Sequence, residues 1–188
     1  MPVNTIILKF GGTSVADANS MKNVAEIIIS KLIDNKQLSN KEKIDNKYSE
    51  KLNDKNNKNI NINSSKLENI KNKKFNKTLV VFLSATAKTT DTLFKIMDLA
   101  IENNIEDALK LKDRLLQKHK KIIKDLNIDK INELQNKLNE LYKKLEILIK
   151  GIYYLGEITP KAKDSILSIG ELSSTLIFST YFIINFLK

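Results

Sequence analysis

The chain has 188 residues and a mass of 21.4 kDa, and 41% of its residues are hydrophobic, which excludes a wholly disordered protein. It contains no cysteine and one histidine, His119, so disulfides, thiolate metal sites and histidine clusters are excluded and we predict no metal site. The net charge of +10 comes from lysines scattered among asparagine and isoleucine, and Arg114 is the sole arginine. This pattern predicts a solvated basic surface and no specific nucleic-acid binding.

The first predicted element is a buried strand, Ile6–Leu8, that runs through Lys9–Ser14 into a helix beginning near Asp17 or Ala18. Its two adjacent glycines allow close backbone approach to an anion, and the first helical amides are unpaired donors. Lys9 adds a positive charge. The order strand, glycine turn, helix therefore indicates a phosphate site, although a plain structural turn would look the same.

The second unit begins with a Lys/Asn-rich stretch, Asn35–Lys77, which we predict to be a largely disordered or weakly helical insertion without a functional role. Thr78–Ser84 is a continuous apolar run that predicts a strand buried on both faces. A polar loop, Ala85–Thr92, and a helix from Thr92 to Asn103 follow. Because strand, loop and helix occur twice, we predict an α/β fold with a parallel sheet.

Two helices are predicted next, Ile105–Leu126 and Ile131–Leu148, because apolar residues recur there at helical spacing. We expect them to form an antiparallel pair, a helical excursion over residues 105–150, with His119 partly buried within it. The last predicted element is an apolar helix, Leu172–Leu187, preceded by a turn at Pro160.

No membrane span and no signal peptide are predicted. The apolar run Leu176–Leu187 is interrupted by polar residues and is shorter than the ~20 apolar residues that cross a bilayer. The N-terminus lacks the pattern of a signal peptide. We therefore expect a cytoplasmic protein.

Four blocks of the chain resemble aspartate kinases of the amino-acid kinase family, in the order of that family. Lys9–Ala16, K-F-G-G-T-S-V-A, resembles their opening, and Leu83–Leu93 resembles their second strand and its loop. Lys150–Pro160 and the Gly-Glu block Ile166–Leu176 follow. The resemblance implies a three-layer α/β fold around a parallel central sheet, of which residues 1–188 would be a partial kinase domain, its N-terminal half.

The resemblance implies ATP-dependent phosphorylation of the side-chain carboxylate of L-aspartate to 4-phospho-L-aspartate, the first step toward lysine, threonine and methionine. ATP would enter as its Mg²⁺ complex, without a tightly bound cofactor. Lys9 would be the catalytic cation, and the residues implied to contact phosphate or ATP are Lys9, Gly11, Gly12, Ser14 and Ser84. Thr90 and Glu171 would contact the substrate. The chain has Asp91 and Ile169 where the family often has asparagine and a basic residue.

Several parts of the family are not visible in the sequence. These are a later glycine-rich block with Ser-Asp, the nucleotide-binding half of the sheet, and the regulatory ACT domains of many members. We therefore expect little or no activity from this chain alone, an exposed apolar sheet edge, and homo-oligomers when the enzyme is complete.

Two alternative functions remain open at this point. The first is another amino-acid kinase, acting on glutamate, carbamate or uridylate. The second is a non-enzymatic basic helical module that binds an acidic or helical partner through residues 35–77 and the apolar stripe Ile131–Leu148.

Overall fold

The computed structural model describes residues 4–32 and 77–187, so all but the last residue of the predicted insertion 35–77 lies outside the described residues. The elements in chain order are β1 (Asn4–Phe10), a 3-10 turn (Gly12–Val15), α1 (Ala18–Leu32), β2 (Lys77–Leu83), α2 (Thr89–Ile101), α3 (Ile105–Asp125), α4 (Asn132–Leu155), α5 (Pro160–Phe182) and a π-helical end (Ile183–Leu187).

The described residues contain a two-stranded parallel sheet, in which β1 and β2 pair from Asn4–Lys77 to Phe10–Leu83. This confirms the predicted α/β class. Alternate side chains, those of Leu8, Phe10, Leu79, Val81 and Leu83, pack against the core. On the opposite face Ile7 is 66% and Phe82 56% exposed, so the prediction that β2 is buried on both faces is wrong. The described helices cover one face of the sheet only.

Two local hydrogen bonds fix where the first helices begin. Asp17 Oδ1 accepts the Ser20 amide at 2.8 Å, just before α1. The Thr86 carbonyl accepts the Thr89 amide at 3.0 Å and closes a turn, so α2 begins at Thr89 rather than at the predicted Thr92. The predicted polar loop is therefore shorter, ending at Lys88.

Helices α3 and α4 form the predicted antiparallel pair, since Lys112 contacts Glu146 and, seven residues later, His119 contacts Tyr142. The apolar stripe of α4 is partly to fully buried and packs against α2, α3 and α5. Its central residues are Leu134, Leu138, Leu145 and Ile149. The stripe is thus part of the core of this chain. The helix also extends beyond the predicted end, to Leu155 before Gly156 in the left-handed region.

Helix α5 begins twelve residues earlier than predicted, at Pro160, where the Thr159 hydroxyl accepts the Ala162 amide at 3.2 Å. With its π-helical end it runs for 28 residues and contains an 18-residue window with a mean hydropathy of 1.4, enough by length and composition to cross a membrane. The length of this helix therefore does not exclude a membrane span, contrary to the prediction from the sequence. One such helix is weak evidence, because core helices pass the same test, and α5 buries Ile166, Ile169 and Ile177 in the core.

Candidate functional site

The glycine turn after β1 lies directly against the loop after β2. A Cβ on Gly12 would lie 2.7 Å from the Ala85 carbonyl oxygen, closer than real Cβ atoms approach. The Ser84 amide donates to the Phe10 carbonyl at 3.0 Å, which extends the hydrogen bonds of the sheet by one residue. The contact between the turn, residues 11–15, and the loop, residues 84–88, forms a junction. Gly11 is extended, with φ −74° and ψ 172°, and a Cβ there would meet nothing within 4 Å. The turn and the loop can therefore approach each other only because Gly12 has no Cβ, whereas a Cβ on Gly11 would not hinder this contact.

The predicted phosphate residues sit around this junction. Lys9 is exposed near the end of β1 and pairs in register with Phe82. The Ser14 amide donates to the Gly11 carbonyl at 3.0 Å and so is already used within the turn. Its hydroxyl is the part of Ser14 that remains for an anion.

Helix α5 closes the junction from another side. A Cβ on Gly170 would lie 2.9 Å from Thr89 Cγ2 and 3.0 Å from Ala85 Cβ, so the helix packs closely on the start of α2. The Ser174 hydroxyl lies 2.8 Å from the Ser84 carbonyl oxygen, to which it donates. The structure thus brings the glycine turn, the loop after β2 and the Gly-Glu block together.

Glu171 and Thr90 are both exposed beside these contacts. Thr90 lies in the first turn of α2, next to the buried Thr89. Glu171 is in the middle of α5, so the prediction that it directly precedes a helix starting at Leu172 is wrong. In residues 4–32 and 77–187 no side-chain hydrogen bond joins Lys9, Thr90 or the Glu171 carboxylate to another predicted site residue, although the Glu171 carbonyl accepts from the Ser174 hydroxyl at 3.0 Å.

A buried polar cluster that the sequence argument missed lies behind the loop. Thr86 Oγ1 is 2.6 Å from Thr89 Oγ1 and 3.1 Å from His119 Nε2. His119 Nδ1 is 2.7 Å from the Tyr142 hydroxyl. Lys118 Nζ donates to the Ala87 carbonyl and lies 3.3 Å from Thr89 Oγ1. The signal in the sequence was the position of His119 on the buried face of its helix.

The environment of this cluster keeps its groups neutral, apart from Lys118. His119 is completely buried rather than partly buried, and this burial, together with the charge of Lys118, lowers its pKa to about 4. Burial also raises the pKa of the Tyr142 hydroxyl. The imidazole is therefore uncharged at neutral pH and has one donor and one acceptor nitrogen.

The described part of the chain holds no group of three or more His, Cys, Asp or Glu side chains that could bind a metal ion. The junction instead offers backbone amides, hydroxyls and the Lys9 ammonium. Such groups bind anions.

The fold is that of part of the solved aspartokinases, an α/β arrangement with a parallel sheet. Two solved structures of E. coli aspartokinase III are similar: one in complex with aspartate and ADP (R-state; TM-score 0.60, 22% identity, 93% of this chain and 28% of that one) and one in complex with lysine and aspartate (T-state; TM-score 0.62, 21% identity, 95% and 28%).

In sequence the chain is similar to Aspartokinase 1, chloroplastic, of Arabidopsis thaliana, with 27% identity over 179 residues, 94% of this chain and 23% of the relative. Aspartokinase 2, chloroplastic, from the same plant is 27% identical over 180 residues, 94% of this chain and 24% of the relative. No family model matches the chain. The chain spans about a quarter of the length of the curated relatives it matches.

Proposed function

We propose that this chain is the aspartate-binding and phosphate-binding part of an aspartate kinase, which transfers the γ-phosphoryl group of ATP to the side-chain carboxylate of L-aspartate. The observation that carries the proposal is the contact of the Gly12 backbone with the loop after β2. It collects the anion-binding groups at the carboxyl ends of two parallel strands, where ligands bind in open α/β sheets. The similarity to aspartokinases over 94% of the chain supports it.

The proposed reaction places electrostatic demands on the site. The attacking carboxylate is already an anion, so no general base is needed. The obstacle is repulsion between this carboxylate and the triphosphate, which positive charge and aligned donors must offset. Lys9 supplies the charge, and Gly11, Gly12, Ser14 and Ser84 supply donors around it.

Thr90 and Glu171 would bind L-aspartate in this scheme. Both are exposed and flank the junction, on α2 and α5 respectively. The Glu171 carboxylate would accept hydrogen bonds from the substrate ammonium, and the Thr90 hydroxyl would bind a carboxylate. Mg²⁺ would arrive with ATP. One similar solved structure, an aspartokinase III, is in complex with aspartate and ADP, which supports a nucleotide and aspartate as substrates.

The test is protection of the full chain against thermal unfolding by L-aspartate and by L-glutamate. We expect aspartate to raise the midpoint and glutamate to leave it unchanged. Glu171→Gln should abolish the aspartate effect, whereas Glu157→Gln, another exposed glutamate, should not. Equal protection by glutamate would favour a different amino-acid kinase, and no protection by either would contradict the proposal.

The alternative of a non-enzymatic helical module has lost one of its two supports. Most of its apolar stripe on α4 packs against other helices of the same chain, and Leu134, Leu138 and Leu145 are completely buried there. Its other support, residues 35–77, lies almost wholly outside the described residues. Cytoplasmic location, homo-oligomers and ACT domains stay predictions, and the two plant relatives are chloroplastic by name.

A further inference from the structure

The buried cluster behind the loop connects the helical pair to the first turn of α2. His119 comes from α3 and Tyr142 from α4, while Thr86 and Thr89 flank the turn that starts α2. All four side chains are at most 3% exposed. Thr89 is followed directly by Thr90, the residue proposed to contact substrate. The helices are therefore linked by hydrogen bonds to the backbone that carries Thr90.

The hydrogen bonds of this cluster can run in two directions, one of which starts from the Lys118 ammonium. Lys118 can only donate, so Thr89 Oγ1 accepts from it. If Thr89 then donates to Thr86, and Thr86 to His119 Nε2, the imidazole proton resides on Nδ1 and is donated to the Tyr142 oxygen. In this direction the protons of Thr89, Thr86 and the imidazole each have an acceptor within the cluster. Tyr142 also lines a groove of about 370 Å³ between α3 and α4.

The turn supported by this cluster contains a residue in an unfavourable backbone conformation. Lys88 has φ 61° and ψ 5°, in the left-handed region that non-glycine residues seldom adopt. Such a conformation persists where the surroundings determine it. Here the supports are the Lys118 contact with the Ala87 carbonyl and the hydroxyl pair of Thr86 and Thr89.

We propose that Tyr142, His119 and Thr86 are positioning residues that hold the turn before α2, and thereby orient Thr90, from the helical pair. This inference rests on the proposed function for the role of Thr90 only. The hydrogen-bonded chain itself is a property of the fold. None of the three residues touches substrate in this account, and their effect passes through Thr89.

The first measurement is the ¹⁵N spectrum of the imidazole ring, which is unambiguous because the chain has one histidine. We expect the Nδ1-protonated form at pH 7. The second is amide hydrogen exchange at Thr89 and Thr92, whose amides donate to the Thr86 and Lys88 carbonyls, with Glu102 at the far end of α2 as internal reference. Tyr142→Phe and Thr86→Val should accelerate exchange at Thr89 and Thr92 about fivefold or more, because each removes a buried hydrogen bond.

Two control variants separate positioning from general destabilisation. Thr86→Ser keeps the hydroxyl and should restore slow exchange, and Tyr154→Phe removes an exposed hydroxyl from the same helix and should change nothing. A uniform rise at Thr89, Thr92 and Glu102, or no rise at all, would overturn the inference. An Nε2-protonated ring would also overturn it.

The link to substrate is tested separately by aspartate affinity. If the chain binds aspartate, Tyr142→Phe should weaken binding about fivefold and Thr86→Ser should not. Unchanged affinity in Tyr142→Phe would overturn the orienting role of the cluster. If the wild-type chain binds no aspartate, the proposed function fails, and the exchange pattern and ring tautomer still decide whether the cluster holds the turn.

Discussion

Gly12 and Ala85 meet backbone to backbone, and a single added carbon on Gly12 would lie 2.7 Å from the Ala85 carbonyl oxygen. Neither atom belongs to a flexible side chain, so one of the two backbone segments would have to move. This contact joins the turn after β1 to the loop after β2. It is the place where the proposed phosphate site depends directly on the absence of a side chain.

Gly12→Ala should therefore destabilise the chain by about 1–3 kcal/mol, the usual cost of overpacking. Gly11→Ala is the matched control, because its backbone is extended and a Cβ there meets nothing within 4 Å. Urea unfolding of both variants gives the difference in free energy. Equal losses of unfolding free energy in the two variants would contradict the proposed importance of the contact between Gly12 and Ala85.

Gly170→Ala and Gly151→Ala should change the free energy of unfolding in opposite directions, although both glycines lie within helices. A Cβ on Gly151 meets nothing within 4 Å, so alanine there should stabilise α4 by up to about 1 kcal/mol through helix propensity. A Cβ on Gly170 would press on Thr89, whose hydroxyl is held by Thr86 and Lys118. Gly170→Ala should lower the unfolding free energy, and a gain equal to that of Gly151→Ala would refute the tight packing of α5.

The free energy of unfolding should decrease as the pH is lowered from about 6.5 to 4, because of His119. Its folded-state pKa is about 4, below the 6.5 of the unfolded chain, so the unfolded state binds the extra proton in this window. The contribution is complete above pH 6.5 and amounts to roughly 3 kcal/mol, lost progressively toward pH 4. Carboxylates titrate nearby, so the measurement is the difference between wild type and His119→Gln. Parallel pH profiles would contradict the assignment.

Glu146→Gln should destabilise the helical pair by about 1–2 kcal/mol, since it removes a charge partner from the buried ammonium of Lys112. Hydrogen bonds from Lys112, and then from Lys150, lower the pKa of Glu146 to about 2. This contribution is thus present above pH 4.5 and lost toward pH 2. Glu140→Gln, at an exposed position of the same helix, is the control and should leave the urea midpoint unchanged. A similar loss in both variants would contradict a special role for the buried lysine.

Lys9→Met should weaken binding of inorganic triphosphate about tenfold without changing the unfolding midpoint, because Lys9 is exposed and its proposed role is charge alone. Lys95→Met, an exposed lysine on α2, is the matched control and should bind like wild type. Titration calorimetry at fixed ionic strength measures both. An equal loss in the two variants would indicate a diffuse charge effect rather than a site.

The sequence was a good guide where a pattern is local and repeated. The helical spacing of Leu134, Leu138 and Leu145 predicted α4, and the strand-glycine-helix order predicted the turn at Gly12. It failed at Phe82, because a continuous apolar strand does not reveal which of its faces other elements cover. It also failed at the start of α5, because Pro160 was interpreted as part of a turn, whereas it is the first residue of a continuous helix.

The polar cluster of Thr86, His119 and Tyr142 could not be derived from spacing. Its members come from three separate segments, and only tertiary packing brings their atoms within hydrogen-bond distance. The placement of Lys9, Thr90 and Glu171 was a matter of resemblance, and their roles remain predictions.

The pairing of β1 with β2 also constrains how this protein is made. Asn4 and Lys77 are more than seventy residues apart in the chain, yet they are register partners in the sheet. A growing polypeptide therefore cannot complete the sheet until β2 has left the ribosome, and α1 must wait with its apolar face uncovered. The long-range contacts come late and make folding slower than helix formation alone. Translation of residues 33–76 therefore delays the pairing of the two strands.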